Sequence, residues 1–393
     1  MRGWIPIVIA TAMTVPGLAL ELGLFHAASP VQALLFGVAI VGCAFLLSWA
    51  AEVIQLDISQ GLALALLALI AILPEYIVDA TFAWLAASDP SYRAYAVANM
   101  TGANRLLIGV AWPLVVLLVW IRTRKRTVTL ESGQGLSLIV LLAATIYAFI
   151  IPFKGSISII DLIVLGALFA FYVWRLAKLP AEEPHLVGPS LWIGGLAPGL
   201  RRPVTGALAI LAAGVILLVA EPFATALVYT GGALGIDRFL LVQWIAPLAS
   251  EAPEFVVVGI FAWRGAASTA LGALVSSKIN QWTLLIAMLP LIYAIALGRI
   301  EGLPLDGHQQ QEILLTAAQS LFAILLLLDF RLSLVGAGAL FGLFIAQFVM
   351  PDIRTPMIGV YLLAGLITVV VSRDHLGKAF QDLRASRSLG GEP

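Results

Sequence analysis

The chain is short of charge. Of its 393 residues only 11% are Asp, Glu, Lys or Arg, where soluble domains carry about 25%. The 22 acidic and 22 basic residues cancel, so no single-sign field is available to attract nucleic acid or an acidic partner. One cysteine, Cys43, excludes a disulfide framework and any multi-cysteine metal site. The four histidines, His26, His185, His308 and His375, fall in loops or the tail, which excludes a histidine proton relay within the membrane. His-Glu-x-x-His, Gly-x-Ser-x-Gly and the phosphate-cradling Gly-x-x-x-x-Gly-Lys-Ser/Thr runs are missing, so neither a metalloprotease, a serine hydrolase nor an ATP-driven pump is written here. What fills the chain is apolar: 61% hydrophobic residues in long runs without two-residue alternation. A bilayer leaves only helix bundles and closed barrels, and such runs select the bundle.

A spanning helix needs about 20 apolar residues. The sequence predicts an all-α membrane protein with about twelve such helices, near 4–25, 31–54, 61–87, 94–121, 135–152, 157–177, 204–230, 239–263, 268–297, 312–328, 332–349 and 355–372. The first run follows Arg2 and lacks a convincing cleavage site, so it reads as a helix rather than a signal peptide. A polar stretch rich in proline and glycine, from Leu179-Pro180 to Arg202-Pro203, separates two halves. Alternating the twelve spans places fifteen Lys and Arg on one side and five on the other, which puts both termini in the cytoplasm of a multi-pass cell-membrane protein, in a prokaryote the inner membrane. The tail from Arg373 is charged and ends in a frayed Gly390-Gly391-Glu392-Pro393. Trp4, Trp49, Trp84 and Trp263 lie near span ends and read as interface anchors.

An ionisable group at membrane depth is costly and faces a cavity or a partner. This chain places Glu52, Glu75, Asp79, Glu221, Glu251 and Glu254 there. Two follow proline, in Pro74-Glu75 and Pro253-Glu254. Proline in a helix frees the carbonyl four residues back: Ile70 for Pro74, Ala249 for Pro253, and Gln243 for Pro247. Freed carbonyls beside a carboxylate are what a hard cation needs in exchange for its water. Glu75 and Asp79 stand four apart and Glu251 and Glu254 three apart, each pair on one helix face. Two acids so close in low dielectric resist ionising together, which opens a route to proton coupling. A plain kink whose glutamate pairs with a nearby base is the competing reading. Glu52 and Glu221 are read as capping or pairing near span ends.

The pattern occurs twice. Ala51-Glu52, Pro74-Glu75 and Phe82-Ala83-Trp84 return as Ala220-Glu221, Pro253-Glu254 and Phe261-Ala262-Trp263. Each Pro-Glu helix precedes one rich in small residues, Ala98-Asn99-Met100-Thr101-Gly102-Ala103-Asn104-Arg105 and Gly272-Ala273-Leu274-Val275-Ser276-Ser277-Lys278-Ile279-Asn280. Glu75 falls on the third span and Glu254 on the eighth; an odd offset makes the copies antiparallel, the inverted-repeat plan of secondary transporters. A duplication kept for packing alone is the bland alternative, and Gly102, Ala103, Gly272 and Ala273 suit either.

These residues resemble the two alpha repeats of the cation/calcium exchanger superfamily, in the broad sense the sodium/calcium exchangers, whose repeats run Gly-Thr-Ser-x-Pro-Glu and then Gly-Asn-x-x-Gly-Ser-Asn. The match covers roughly 50–110 and 219–285. The resemblance implies an extra N-terminal helix over 1–30, a first repeat over 31–180, a cytoplasmic linker over 181–203, a second repeat over 204–350, and a C-terminal helix and tail over 351–393. It implies Glu75 and Glu254 as central cation ligands, with Asn99, Asn104, Ser250 and Ser277 on polar-site positions. Asp79 and Glu251 are additional acids; Asn280 and the neutral Gln281 complete the candidate set. Departures are plain: Ala71-Ile72 replace hydroxyl residues, Leu107 stands where a ligand is common, and Lys278 replaces an asparagine. Lys278 is expected to act as an internal counter-ion or to pair with Glu251. Arg105 is expected to pair with Asp79 or Glu52. The implied activity is exchange of calcium or a related cation for sodium or protons, with no cofactor beyond the carried ion, no catalysis and no nucleic-acid partner. A calcium site wants six to eight oxygens, so the lysine keeps sodium/proton exchange open as the alternative. A membrane enzyme, or a non-transporting protein with a vestigial site, completes the field.

Overall fold

The computed structural model describes residues 3–57, 73–130, 134–178 and 186–388, with side chains through Val371. The fold is mostly helical, as the apolar runs require. In chain order the helices are α1 (Trp4–Glu21), α2 (Ser29–Ile54), α3 (Leu73–Leu85), α4 (Tyr92–Leu106), α5 (Trp112–Thr123), α6 (Gly135–Ala148), α7 (Ile151–Lys154), α8 (Ile159–Leu176), α9 (Pro189–Gly194), α10 (Pro198–Leu234), α11 (Arg238–Arg264), α12 (Ala267–Asn280), α13 (Ile286–Leu297), α14 (Gly307–Leu326), α15 (Leu334–Val349) and α16 (Arg354–Ser388). Among the described residues nine helical stretches are long and apolar enough to cross a membrane. Helices also occupy the other three expected stretches: α3, whose preceding residues lie outside the described set, α14, and the shorter α15.

Polar residues at the junctions set the helix starts. Ser158 and Asp161 form a reciprocal cap on α8, and Asp306 and Gln309 form one on α14, where the Asp306 side chain accepts from the Gln309 N–H at 2.8 Å. Ser333 caps α15.

Four features depart from the sequence reading. Among the described residues four short strands occur: β1 (Thr127–Thr129), β2 (Ser156–Ile157), β3 (Leu303–Pro304) and β4 (Arg331–Ser333), with β1 and β4 antiparallel and Thr127 opposite Ser333. The stretch read as a linker carries α9, and α10 already starts at Pro198 within it. The charged tail continues as α16 through Ser388; the expected frayed end, 390–393, lies outside the described residues. Trp49 is a correction: it is buried and stacks at 5.5 Å on Phe45, whereas Trp4, Trp84 and Trp263 are exposed.

The chain divides into two compact units. The first comprises 1–103, 157–257 and 284–304; α2 packs along α1 and α10, and α3 and α8 pack on α13. At its edge Asp57, just past α2, takes a two-pronged grip from Arg201 (2.8 and 2.7 Å) and a further bond from Arg202 (2.9 Å) at the start of α10. The second comprises 104–156, 258–283 and 305–393, in which α12 packs on α5 and α6, α15 on α5, and α14 on α6 and α16.

Two local irregularities coincide with the repeated motif. Leu107–Ala111 and Gln281–Leu285 are π-helical turns. Asn104 and Lys278 each stand three residues ahead of one. Such turns widen a helix by one residue and concentrate at functional sites.

Candidate functional site

In the first unit the candidate acids sit on proline-bearing helices. Glu75 follows Pro74 on α3; Glu251 and Glu254 flank Pro253 on α11. Glu75 and Glu251 are buried and Glu254 is partly so. Asp79, fully enclosed at 0% exposure, accepts a 2.7 Å hydrogen bond from Asn99 Nδ2 on α4. Its other oxygen has no hydrogen-bond partner among the described residues. Burying a carboxylate behind one amide forfeits most of its hydration, a cost retained at membrane depth only where the group has work or a partner. The structure therefore brings together Asp79 and Asn99, two residues that the spacing placed on separate helices.

The carbonyls freed by proline can be followed in part. Ile70, Ala71 and Ile72 lie outside the described residues. On α11, Pro247 releases the carbonyl of Gln243, and that carbonyl lies against Gly102 of α4, where an added Cβ would come within 1.8 Å of it. Only glycine lets the two helices approach so closely. The buried Gln243 side chain donates to Thr101 Oγ1 at 3.3 Å. The sequence reading named the Gln243 carbonyl as freed by Pro247 but singled out neither its side chain nor Thr101; a glutamine in an apolar span four residues before a proline is the signal that could have found the pair. Ser250, an expected ligand, turns its hydroxyl back onto its own helix, toward the carbonyls of Ala246 (3.3 Å) and Pro247 (3.2 Å).

Glu52, near the end of α2, accepts from the Ser190 hydroxyl of α9, in keeping with a pairing role. Glu221 does not sit at a span end. It lies exposed inside α10, in a cleft of about 550 Å³ that it lines with Glu21, His26 and Gln32.

In the second unit Lys278 is 0% exposed. Its Nζ donates to Asn104 Oδ1 at 2.5 Å and stands 4.2 Å from the centre of the Trp282 ring. An ammonium over an indole face, stripped of water, gains about 2 kcal/mol from that contact. Asn280 and Gln281 are buried beside it in sequence, at the entrance to the π-helical turn; Ser277 is half-buried.

Arg105 corrects the sequence reading. Its partner is neither Asp79 nor Glu52 but Glu312 of α14, at 2.5 Å. Glu312 is 1% exposed and also holds Arg354 of α16 at 2.6 Å. Gln347 of α15 accepts from Arg105 at 3.5 Å and donates to Gln319 and to Tyr361, each at 3.2 Å. A single buried carboxylate thus ties α4, α14 and α16 together, because two interred guanidinia need an anion. Glu312 was missed because it stands at the first residue of its expected span, 312–328, where a charge reads as belonging to the membrane edge.

Among the described residues no three His, Cys, Asp or Glu side chains converge closely enough to form a metal centre.

Acids on the proline-bearing helices α3 and α11, with amides and an ammonium interred on α4 and α12, suit a transporter of cations. The chain belongs to the sodium/calcium exchanger protein family, whose sequence model matches residues 28–178 and 205–351. Its structure is similar to the crystal structure of the H+/Ca2+ exchanger CAX, with 40% identity over 99% of both chains and a TM-score of 0.92. It shares its fold with native YfkE, at 16% identity over 91% of this chain and 99% of that one, TM-score 0.63. The same holds for the sodium-calcium exchanger NCX_Mj, at 17% identity over 88% of this chain and 99% of that one, TM-score 0.53. No curated protein sequence matches the chain.

Proposed function

We propose that this protein is a secondary-active antiporter that moves calcium across the cell membrane in exchange for protons. The observation that carries the choice of ions is the 40% identity, over essentially the whole of both chains, to an H+/Ca2+ exchanger. The buried acids of the first unit supply the mechanism. Glu75, Asp79, Glu251 and Glu254, with Asn99 as a neutral oxygen donor, form the ion-binding set. An ionised carboxylate left bare in the membrane interior costs several kcal/mol. A bound calcium ion or a bound proton removes that cost; an empty ionised site carries it in full. Only loaded or protonated sites then reorient readily, and that restriction couples the two flows.

The two family matches, 28–178 and 205–351, support two repeats that coincide with the expected 31–180 and 204–350. The π-helical turns after Asn104 and Lys278 support the same pairing. Five spans between Glu75 and Glu254 make the repeats antiparallel, which suits alternating access. The excess of Lys and Arg on one side supports cytoplasmic termini.

The test is flux in proteoliposomes, with calcium uptake followed under imposed proton, sodium and potassium gradients. Calcium movement driven by a proton gradient is expected, and Glu254→Gln is expected to abolish it. Normal exchange by that variant removes Glu254 from the site. Proton movement driven by sodium without calcium would instead establish the sodium/proton alternative.

A further inference from the structure

We infer that the cleft beside Glu221 on α10 holds the headgroup of a phospholipid bearing a primary ammonium, of the phosphatidylethanolamine kind. The inference is independent of which ions are exchanged. It starts from a charge without a counter-charge in the chain. The sequence repeat sets Ala51-Glu52 against Ala220-Glu221, and Glu52 is met by the Ser190 hydroxyl of α9. Glu221 lies exposed inside α10, and among the described residues it has no hydrogen-bond or ion-pair partner. A carboxylate on an apolar membrane helix is costly unless a partner or a cavity serves it. Glu21, at the end of α1, is close enough to act on it electrostatically. Two negative charges therefore share the cleft, and among the described residues no lysine or arginine lines it. The balancing positive charge comes from outside the chain.

Three observations choose the form of that cation. The first is the residue after Glu221. Pro222 carries no N–H, so it frees the carbonyl of Leu218, and both residues line the cleft. Two carboxylates and a freed carbonyl match the three N–H donors of a primary ammonium. A quaternary ammonium has no N–H to offer them. The second is size. About 550 Å³ suits an organic group rather than a bare ion. Among the described residues, moreover, no three acidic, histidine or cysteine side chains converge on a metal. The third is the wall. Leu217 and Leu218 line the cleft at 66% and 56% exposure, so it opens sideways along the apolar flank of α10. An occupant can enter from the bilayer and leave its acyl chains against those leucines. The Tyr229 hydroxyl and the His26 imidazole, also in the lining, are donors for the phosphate that follows the ammonium in such a headgroup.

The experiment is lipid retention by the purified full chain. The parent and a Glu21→Gln, Glu221→Gln double variant are equilibrated in detergent with equal amounts of phosphatidylethanolamine and phosphatidylcholine. The lipid that stays bound is counted by native mass spectrometry. The parent is expected to retain phosphatidylethanolamine at least about tenfold over phosphatidylcholine. The double variant is expected to retain the two alike. Equal retention by the parent overturns the inference, and needs no variant to fold. An undiminished preference in the double variant overturns it as well, because the ammonium would then be read elsewhere. Saturable calcium binding that the double variant loses, with no lipid preference in the parent, would assign the cleft to a metal ion instead. Neither acid belongs to the proposed ion-binding set, so a parent that moves no calcium refutes the exchange reading while lipid retention still decides the role of the cleft.

Discussion

Neutralising Glu312 is the sharpest structural test of the second unit. Its two carboxylate oxygens hold Arg105 at 2.5 Å and Arg354 at 2.6 Å, and it is 1% exposed. Glu312→Gln keeps the shape and removes the charge, leaving two interred guanidinia without their anion. Removing one partner of a buried pair costs roughly 3–5 kcal/mol, since the surviving charge stays desolvated. Here two guanidinia depend on one carboxylate, so the lower figure is a floor. At about 2 °C per kcal/mol, the melting temperature should fall by roughly 6 °C or more. Thermal unfolding in detergent, read by intrinsic tryptophan fluorescence, measures it directly. A triple variant, Arg105→Leu, Glu312→Leu and Arg354→Leu, is expected to recover most of the loss, because exchanging a whole buried network for apolar groups is often neutral. A drop of less than about 2 °C in Glu312→Gln would refute the claim that this carboxylate holds both arginines. A triple variant as unstable as Glu312→Gln would place the cost in packing rather than in uncompensated charge.

Two further outcomes follow from the same structure. Gly102→Ala should destabilise by about 1–3 kcal/mol and impair calcium flux, because its Cβ meets the Gln243 backbone carbonyl at 1.8 Å and backbone cannot step aside. Gly272→Ala should be mild by comparison, since its Cβ meets only the end of the Gln134 side chain, at 2.7 Å. Equal melting temperatures for the two variants would contradict this ranking. Asp57 offers a pH test: the hydrogen bond from Arg201, reinforced by Arg202, lowers its pKa to about 2. The unfolded value is about 3.9, so the Asp57 contribution to stability is complete above about pH 4 and is lost as the pH falls toward 2. Asp57→Asn should therefore flatten the acid limb of a melting-temperature profile over that window. An unchanged slope would show that the Arg201 grip adds nothing to folding.

Composition and hydropathy were enough to specify a helical membrane chain, because the bilayer leaves the backbone few options once long apolar runs are present. Spacing identified Glu75 with Asp79, and Glu251 with Glu254, as acids on common helix faces, and the family resemblance set Lys278 where an asparagine is usual. These are local or periodic facts, and a linear sequence carries them. The pairing of interior charges is a different matter. Arg105 reads as near Asp79, yet Glu312, 207 positions along the chain, receives it. Ser250 reads as a ligand; that its hydroxyl donates to the carbonyls of Ala246 and Pro247 on its own helix is visible only in the structure. Trp49 reads as an interface anchor, yet Phe45 and its neighbours cover it.

What the sequence alone determined is the solvent, the element type and the chemistry available at membrane depth, since these depend on composition and on 3.6-residue periodicity. What only the tertiary structure decided is which interior groups meet: Asp79 with Asn99, Lys278 with Asn104 and Trp282, and Glu312 with two arginines. Such partners are chosen by how helices distant in sequence cross. That crossing depends on shape complementarity at positions such as Gly102, where the absence of one methyl group brings two helices into contact.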